Sequence, residues 1–181
     1  MKITETAISG VLILEPDIFK DSRGWFCESY NEDTYRKLGI DVHFVQDSHS
    51  FSAAKGTLRG LHFQNNPHAQ SKLVRCTRGA VLDVVVDIRK SSPTYKKWIS
   101  VELSSENQRQ LFIPKGFAHG FVTLVDDTEF QYKVDAYYHK GSERCIAYND
   151  PGIAIDWRIE HPILSERDRG APLLADCDMC A

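Results

Sequence analysis

Between Val42 and Ile155 apolar residues recur at every second position or in short unbroken runs. Turn-forming clusters interrupt them at about 8–12 residue spacing, the pattern of a sandwich or barrel. The pattern predicts strands over Gly60–Gln64, Lys72–Cys76, Ala80–Ile88, Trp98–Leu103, Gln110–Ile113, Gly120–Leu124 and Glu129–Tyr138. Breaks fall at Asn65-Asn66-Pro67, Thr77-Arg78-Gly79, Ser91-Ser92-Pro93 and Pro114-Lys115-Gly116, where Gly, Pro and short polar side chains favour tight turns. Two segments read as helical: Glu32–Leu38 behind an Asn31 cap, and Ser165–Arg169, in which Ser165 and Asp168 stand at the N-cap-to-N3 separation. Neither is long enough to organise a fold. The expectation is one all-β domain over residues 1–181, with a few short helices, closed into a barrel or jelly roll whose inward side chains meet in a cavity.

Alternation also sorts faces. In Ala80–Ile88, Leu82, Val84, Val86 and Ile88 form a dry face, while Asp83 and Asp87 stand beside Val81 and Val85 on the other. In Glu129–Tyr138 it groups Tyr132 and Tyr138 with Phe130, Val134 and Ala136. It sets His62 with Gly60 and Gln64, opposite Leu61 and Phe63. Alternation does not say which face is the lumen.

Composition narrows the partners. The 181 residues are 42% hydrophobic, and 22 Lys and Arg against 25 Asp and Glu give a formal charge of −3. Nucleic acids and anionic membranes select a strong positive excess, so neither is an expected partner. Met1–Gly10 carries no unbroken apolar stretch of the kind a signal peptide needs, and no segment approaches the about 18 apolar residues of a membrane span. The expected location is therefore cytoplasmic. Cys27, Cys76, Cys145, Cys177 and Cys180 are odd in number and scattered, which reads as reduced thiols. Cys177 and Cys180 form one isolated C-x-x-C, half of a zinc motif without its second pair.

Chemistry concentrates around two histidines. Gly56 followed by five residues and His62, and Pro114-Lys115-Gly116-Phe117-Ala118-His119, are halves of the cupin signature. Metal-holding cupins usually carry a second His two residues after the first, and then a Glu. Here that position is Gln64, a poor ligand beside imidazole, and no Glu lies between Phe63 and Val101. The resemblance is to a cupin without a metal, and no cofactor is expected. A His62, His68, His119 metal site is the competing reading. A histidine left in a metal-free pocket suggests proton transfer, because its ordinary pKa of about 6.5 suits a base at neutral pH.

The surrounding stretches are more specific. Asp21-Ser22-Arg23-Gly24 with Phe26 and Glu28, Gln46-Asp47, and Gly56-Thr57-Leu58-Arg59-Gly60-Leu61-His62-Phe63-Gln64 come in order. They are followed by Gln70-Ser71-Lys72-Leu73-Val74-Arg75, Asp83-Val84-Val85-Val86-Asp87, Tyr132-Lys133, Asn149-Asp150 and Ile155-Asp156-Trp157. Over almost its full length the chain resembles the RmlC family, the dTDP-4-dehydrorhamnose 3,5-epimerases. The resemblance implies a cupin jelly roll acting without metal on a dTDP-linked 4-keto-6-deoxy sugar, inverting C3 and C5. It implies His62 as base, Asp168 as the carboxylate orienting it, Tyr132 as acid and Lys72 at the enolate oxygen. It implies Arg23 and Arg59 on the diphosphate, further contacts from Glu28, Gln46, His119 and Glu143, and Phe26 and Tyr138 stacked on thymine. A homodimer exchanging N-terminal strands, with residues before Glu32 completing the neighbour's site, is also implied.

Two departures stand out. The family's Gln-Asp-Asn reads Gln46-Asp47-Ser48, so a hydroxyl replaces an amide near the nucleotide, and Arg167 stands where a lysine is common. Residue by residue, structural readings compete. His62 is a core histidine, Tyr132 and Phe26 are packing aromatics, Lys72 is a strand charge, Arg23 and Arg59 are ion-pair partners, and Asp168 is only a helix cap. For the whole protein the competing functions are a single-centre epimerase on a related nucleotide sugar, a non-catalytic sugar-binding cupin, and a metal-dependent cupin isomerase or oxygenase.

Overall fold

Two antiparallel sheets facing each other carry most of the chain. In the computed structural model, which describes residues 1–179, the first sheet runs β1 (Lys2–Glu5), β2 (Leu12–Glu15), β10 (Gln110–Ile113), β7 (Lys72–Arg78), β12 (Thr128–Val134) and β5 (Gln46–Ser52) in spatial order. The second runs β13 (Glu143–Cys145), β6 (Leu58–Gln64), β11 (Phe117–Thr123), β8 (Ala80–Asp87) and β9 (Trp98–Ser104). A separate hairpin joins β3 (Phe19–Asp21) to β4 (Gly24–Phe26). The helices are α1 (Glu32–Lys37) and α2 (Glu166–Arg169), capped by Asn31 and Ser165 as their sequences predict. Cys180, the second half of the C-terminal C-x-x-C, lies outside the described residues.

Three apolar clusters hold the sheets. Val74, Leu111 and Phe130 of the first sheet meet Val81, Val85 and Phe121 of the second to fill the interior. The dry face of β8, with Leu82, Val84 and Val86, looks the other way, against Ile146, Ile153, Trp157 and Leu174 of the C-terminal segment. Leu14, Leu73 and Phe112 pack against Tyr35 of α1 and Ile40 beyond it. From Val81 to Asp87 β8 is buried on both faces, because the face bearing Asp83 and Asp87 is the one turned inward.

The structure departs from the alternation pattern in two ways. The predicted strand Glu129–Tyr138 ends at Val134, where side chains take over from the ladder. The Asp135 carboxylate accepts the Ser71 amide at 2.7 Å and Gln70 Nε2 donates to the Ala136 carbonyl at 2.7 Å. Strands β1, β2, β3, β4, β5 and β13 lie outside the predicted ones. Strand β5 reads Gln-Asp-Ser-His-Ser-Phe-Ser, and it forms because one ladder with β12 satisfies its backbone at a sheet edge, where polar side chains are tolerated. No helix among the described residues is long and apolar enough to cross a membrane.

Asp87 ends β8 with a fully buried carboxylate that receives Arg89 Nη2 at 2.7 Å and the hydroxyls of Ser92 and Thr94 at 2.6 Å each. Burial alone would raise its pKa, but these bonds win and hold it well below the usual carboxylate range. A depressed pKa contributes stability that is present above the unfolded pKa of about 3.9 and is lost as pH falls through the folded value. Replacing Asp87 by Asn should cost about 2–3 kcal/mol at pH 7, discounted because Arg89 remains partly exposed. Urea denaturation at pH 7 and pH 3 checks this, with the gap between the two proteins narrower at the lower pH.

Candidate active site

A cavity of about 630 Å³ opens between the sheets and is walled by β6, β7, β11, β12, β13 and α2. On β6, strict alternation would send Arg59 and His62, three residues apart, to opposite faces. The ladder with β11 slips instead, pairing Phe121 with Arg59 and His119 with His62, so β6 carries one residue more than its partner. This bulge turns both side chains into the cavity and sends Leu58 and Leu61 together into the opposite core. Gly60 permits it with φ of +134°, and a Cβ there would stand 2.5 Å from Gly120 Cα. We predict that Gly60→Ala costs about 2–3 kcal/mol of stability. Displacing His62 by even about 1 Å should cost roughly 100-fold in turnover. Melting temperature and kcat together check this.

His62 meets a carboxylate from the far end of the chain. Its Nε2 lies 2.6 Å from Asp168 Oδ1, and the two side chains are 22% and 3% exposed. Ser165 caps α2 by accepting the Asp168 amide at 3.1 Å, so the helix cap sets where the carboxylate points. The cap role and the imidazole contact are served by one segment rather than excluding each other. Burial would raise the Asp168 pKa, but the His62 hydrogen bond and charge, with Ser165 and Arg167, hold it down to about 2. The carboxylate therefore accepts Nε2–H and leaves Nδ1 as the basic nitrogen. Burial lowers the His62 pKa, Asp168 opposes that, and Arg167 and Lys72 reinforce it. Arg167 Nη2 lies 2.8 Å from the same Nε2 while its Nη1 donates to Glu143 Oε1 at 2.7 Å. Two donors cannot bond each other, so the guanidinium acts there as a charge.

The other walls add an amine, a phenol and a second pair. Burial brings the Lys72 pKa down to about 8, against the pull of Asp83 and Glu143. Its Nζ sits 6.0 Å from the centre of the Tyr132 ring. His119 Nε2 lies 2.9 Å from Asp83 Oδ2, and burial raises the pKa of that carboxyl while His119 and Lys72 hold it back. The Tyr138 hydroxyl donates to Glu143 Oε2 at 3.0 Å, extending the chain from Arg167. Arg59 bonds only Ser52 Oγ and the Phe51 carbonyl, at 3.3 and 3.1 Å, and has no carboxylate partner among the described residues. Gln64, at the cupin metal position, is a brace: it donates to the carbonyls of His68 and Tyr137 and accepts the His139 amide at 2.7 Å. His68 stacks on His139 rather than facing His62.

Nine of the expected site residues, Arg59, His62, Lys72, His119, Tyr132, Tyr138, Glu143, Arg167 and Asp168, thus line one cavity. Gln46 reaches its rim, accepting the Tyr138 amide at 3.2 Å and donating to Ser48 Oγ at 3.3 Å. Ser48 lines a neighbouring hollow of about 460 Å³, which Tyr132 also borders. Arg23, Phe26 and Glu28 are not brought to His62. Arg23 pairs with Asp21 on the hairpin, Phe26 is 68% exposed, and Glu28 accepts from Asn31. Sequence reasoning missed Asp83 and Cys145 as neighbours of the site. Asp83 was legible as an acid on an apolar strand, whereas nothing marked Cys145, whose thiol lies 3.5 Å from Asp168 Oδ1.

Comparison with known proteins matches residues 5–176 to the family described as dTDP-4-dehydrorhamnose 3,5-epimerase. The chain belongs to the dTDP-4-dehydrorhamnose 3,5-epimerase family. It is 56% identical over 176 residues to the epimerase of that name from Salmonella typhimurium, covering 96% of each chain. It is 52% identical over 179 residues to the one from Shigella flexneri, covering 98% of each. Among solved structures, the Legionella pneumophila epimerase of this family, in complex with dTDP-4-keto-L-rhamnose, superposes with a TM-score of 0.94 at 49% identity. That match covers 98% of this chain and 94% of the other.

Proposed function

We propose that the protein inverts C3 and C5 of dTDP-4-dehydro-6-deoxy-D-glucose, giving dTDP-4-dehydro-L-rhamnose, by proton removal and return. The observation that carries this reading is the His62–Asp168 pair in the same cavity as Lys72 and Tyr132. A C4 ketone acidifies the hydrogens on both neighbouring carbons. Neutral His62 takes one proton on Nδ1, the C–H electron pair passes into the carbonyl, and Asp168 stabilises the imidazolium. The Lys72 ammonium stabilises the enolate oxygen, a contact worth about 3–4 kcal/mol in a dry site. Tyr132 returns a proton to the opposite ring face and regains its own from solvent, while His62 gives the proton it took to solvent and is neutral again. Repetition at the second carbon completes the change. Incubation with the 4-keto substrate, reduction by a downstream 4-ketoreductase and identification of the sugar test the reading. An L-rhamnosyl product supports it, and a sugar inverted at one centre contradicts it.

Arg59 has the planar forked donors that suit a diphosphate, and its want of a carboxylate partner supports that role. The family resemblance gives Arg23 the same role, for which its guanidinium must leave the Asp21 carboxylate it pairs with on the hairpin. We propose that the chain is a homodimer in which the β3–β4 hairpin of each protomer completes the other's site with Arg23, Phe26 and Glu28. Exposure of Phe19, Trp25 and Phe26 at 64%, 55% and 68% on that hairpin favours a covering partner. Arg23→Ala should then weaken dTDP binding roughly 10–100-fold by calorimetry. Mixing Arg23→Ala with His62→Ala chains should recover about a quarter of wild-type activity, because half the dimers are mixed and each holds one intact site. Recovery absent from a mixture whose subunits demonstrably exchange contradicts the shared site.

A further inference from the structure

Cys145 pairs directly with His62 across the β13–β6 ladder, and its sulfur turns toward the carboxylate that holds the imidazole. His62, Cys145 and Asp168 each offer one ligand atom, and the three atoms lie within 4.8 Å of one another. We infer that these residues form a binding site for a thiophilic divalent cation of the zinc class, and that such an ion inhibits the enzyme by occupying the imidazole. The inhibitory half rests on the proton-abstraction reading of His62; the binding half does not.

The donor set is nitrogen, sulfur and oxygen, each a ligand atom that zinc accepts, and a zinc with three protein ligands keeps its fourth position open to a cavity. Bonds of about 2.3 Å to sulfur and about 2.0–2.2 Å to oxygen at a tetrahedral angle set those two ligands roughly 3.5 Å apart. The sulfur and Oδ1 already stand at 3.5 Å. The His62 Nε2 to Oδ1 distance of 2.6 Å must open by roughly 0.7 Å, which side-chain rotation supplies. On binding, the thiol releases its proton to solvent, and the imidazole changes tautomer, losing the proton from Nε2 and taking one from solvent on Nδ1, so that Nε2 becomes the ligand. A thiolate and a carboxylate then neutralise the dication. Arg167 is the opposing charge, with Nη2 at 2.8 Å from Nε2, and it must swing aside about its Glu143 anchor. The site is therefore selective for ions that hold sulfur strongly, and Mg²⁺ or Ca²⁺, which prefer oxygen, should be excluded.

The test uses the full chain, freed of metal by a chelator, in a Cys177→Ser background that removes the C-terminal cysteine pair as a competing site. Addition of Co²⁺ should raise a sulfur-to-metal charge-transfer band, absent when Cys145→Ser is added, a change that keeps a hydroxyl donor for Asp168. Calorimetry with Zn²⁺ should give one site per chain, about 100-fold weaker with Cys145→Ser and tighter with Arg167→Gln. Zn²⁺ should slow turnover competitively with substrate, and the Cys145→Ser protein should turn over without that sensitivity. A missing band, or equal Zn²⁺ affinity with and without Cys145, overturns the site. A band and tight binding with undiminished turnover overturn the inhibitory half and count against His62 as the base. Cys145→Ala is the second variant, and an unaltered melting temperature shows that loss of binding is not loss of fold.

Discussion

His62→Asn should lose roughly three orders of magnitude in kcat, the range expected when a positioned general base is removed. Epimerisation and solvent-proton exchange should vanish together, because no carbanion forms without a base. The loss is chemical rather than structural. His62 is not part of the apolar clusters; its strongest partner is Asp168, which keeps its Ser165 cap without it. Asn also fits the bulged strand without a new buried charge. Far-ultraviolet circular dichroism and dTDP affinity should therefore stay near wild type while turnover collapses. A variant that still turns over fully removes His62 from the reaction, whatever product forms.

Tyr132→Phe should have the next largest effect, and of a different kind. Deprotonation needs only His62 and the charge of Lys72, so deuterium should still enter the substrate from heavy water. Inversion needs an acid on the other face, and product formation should fall about 100- to 1,000-fold. Exchange outrunning epimerisation is the signature of an acid lost after a base has acted. Tyr132 stands on β12 directly opposite Ser48 and packs against the interior cluster, so removing its hydroxyl leaves ring packing in place. Nuclear magnetic resonance of substrate and product in the same tube separates the two rates. Equal losses in both would assign Tyr132 to binding or positioning instead.

Much of the fold was legible wherever local chemistry and tertiary context agree. The caps at Asn31 and Ser165 announced both helices, and Gln110–Ile113 was readable because an apolar run between turn signals coincides with a fully buried strand. Strand β5 was illegible because an edge strand needs no apolar stripe. The site was legible in its members but not in its geometry. Alternation separates Arg59 from His62, and only the bulge at Gly60, set by the close approach of Gly120, reunites them. Tyr132 and Tyr138 do reach one cavity, yet not along one strand. The ladder ends at Val134, and Tyr138 is held by Gln46 and Glu143. Contacts that close over a long stretch of chain, such as His62 with Asp168, leave no periodic trace; only the family resemblance pointed to that pair.

The central claim is that one imidazole and one phenol move protons at both carbons flanking the ketone. Turnover of dTDP-4-dehydro-6-deoxy-D-glucose in heavy water, followed by proton and carbon resonance spectra of the isolated product, tests it most directly. The account predicts one deuteron at C3 and one at C5, both in the L-rhamno product. Label at a single carbon, or inversion with no label from solvent, would contradict it.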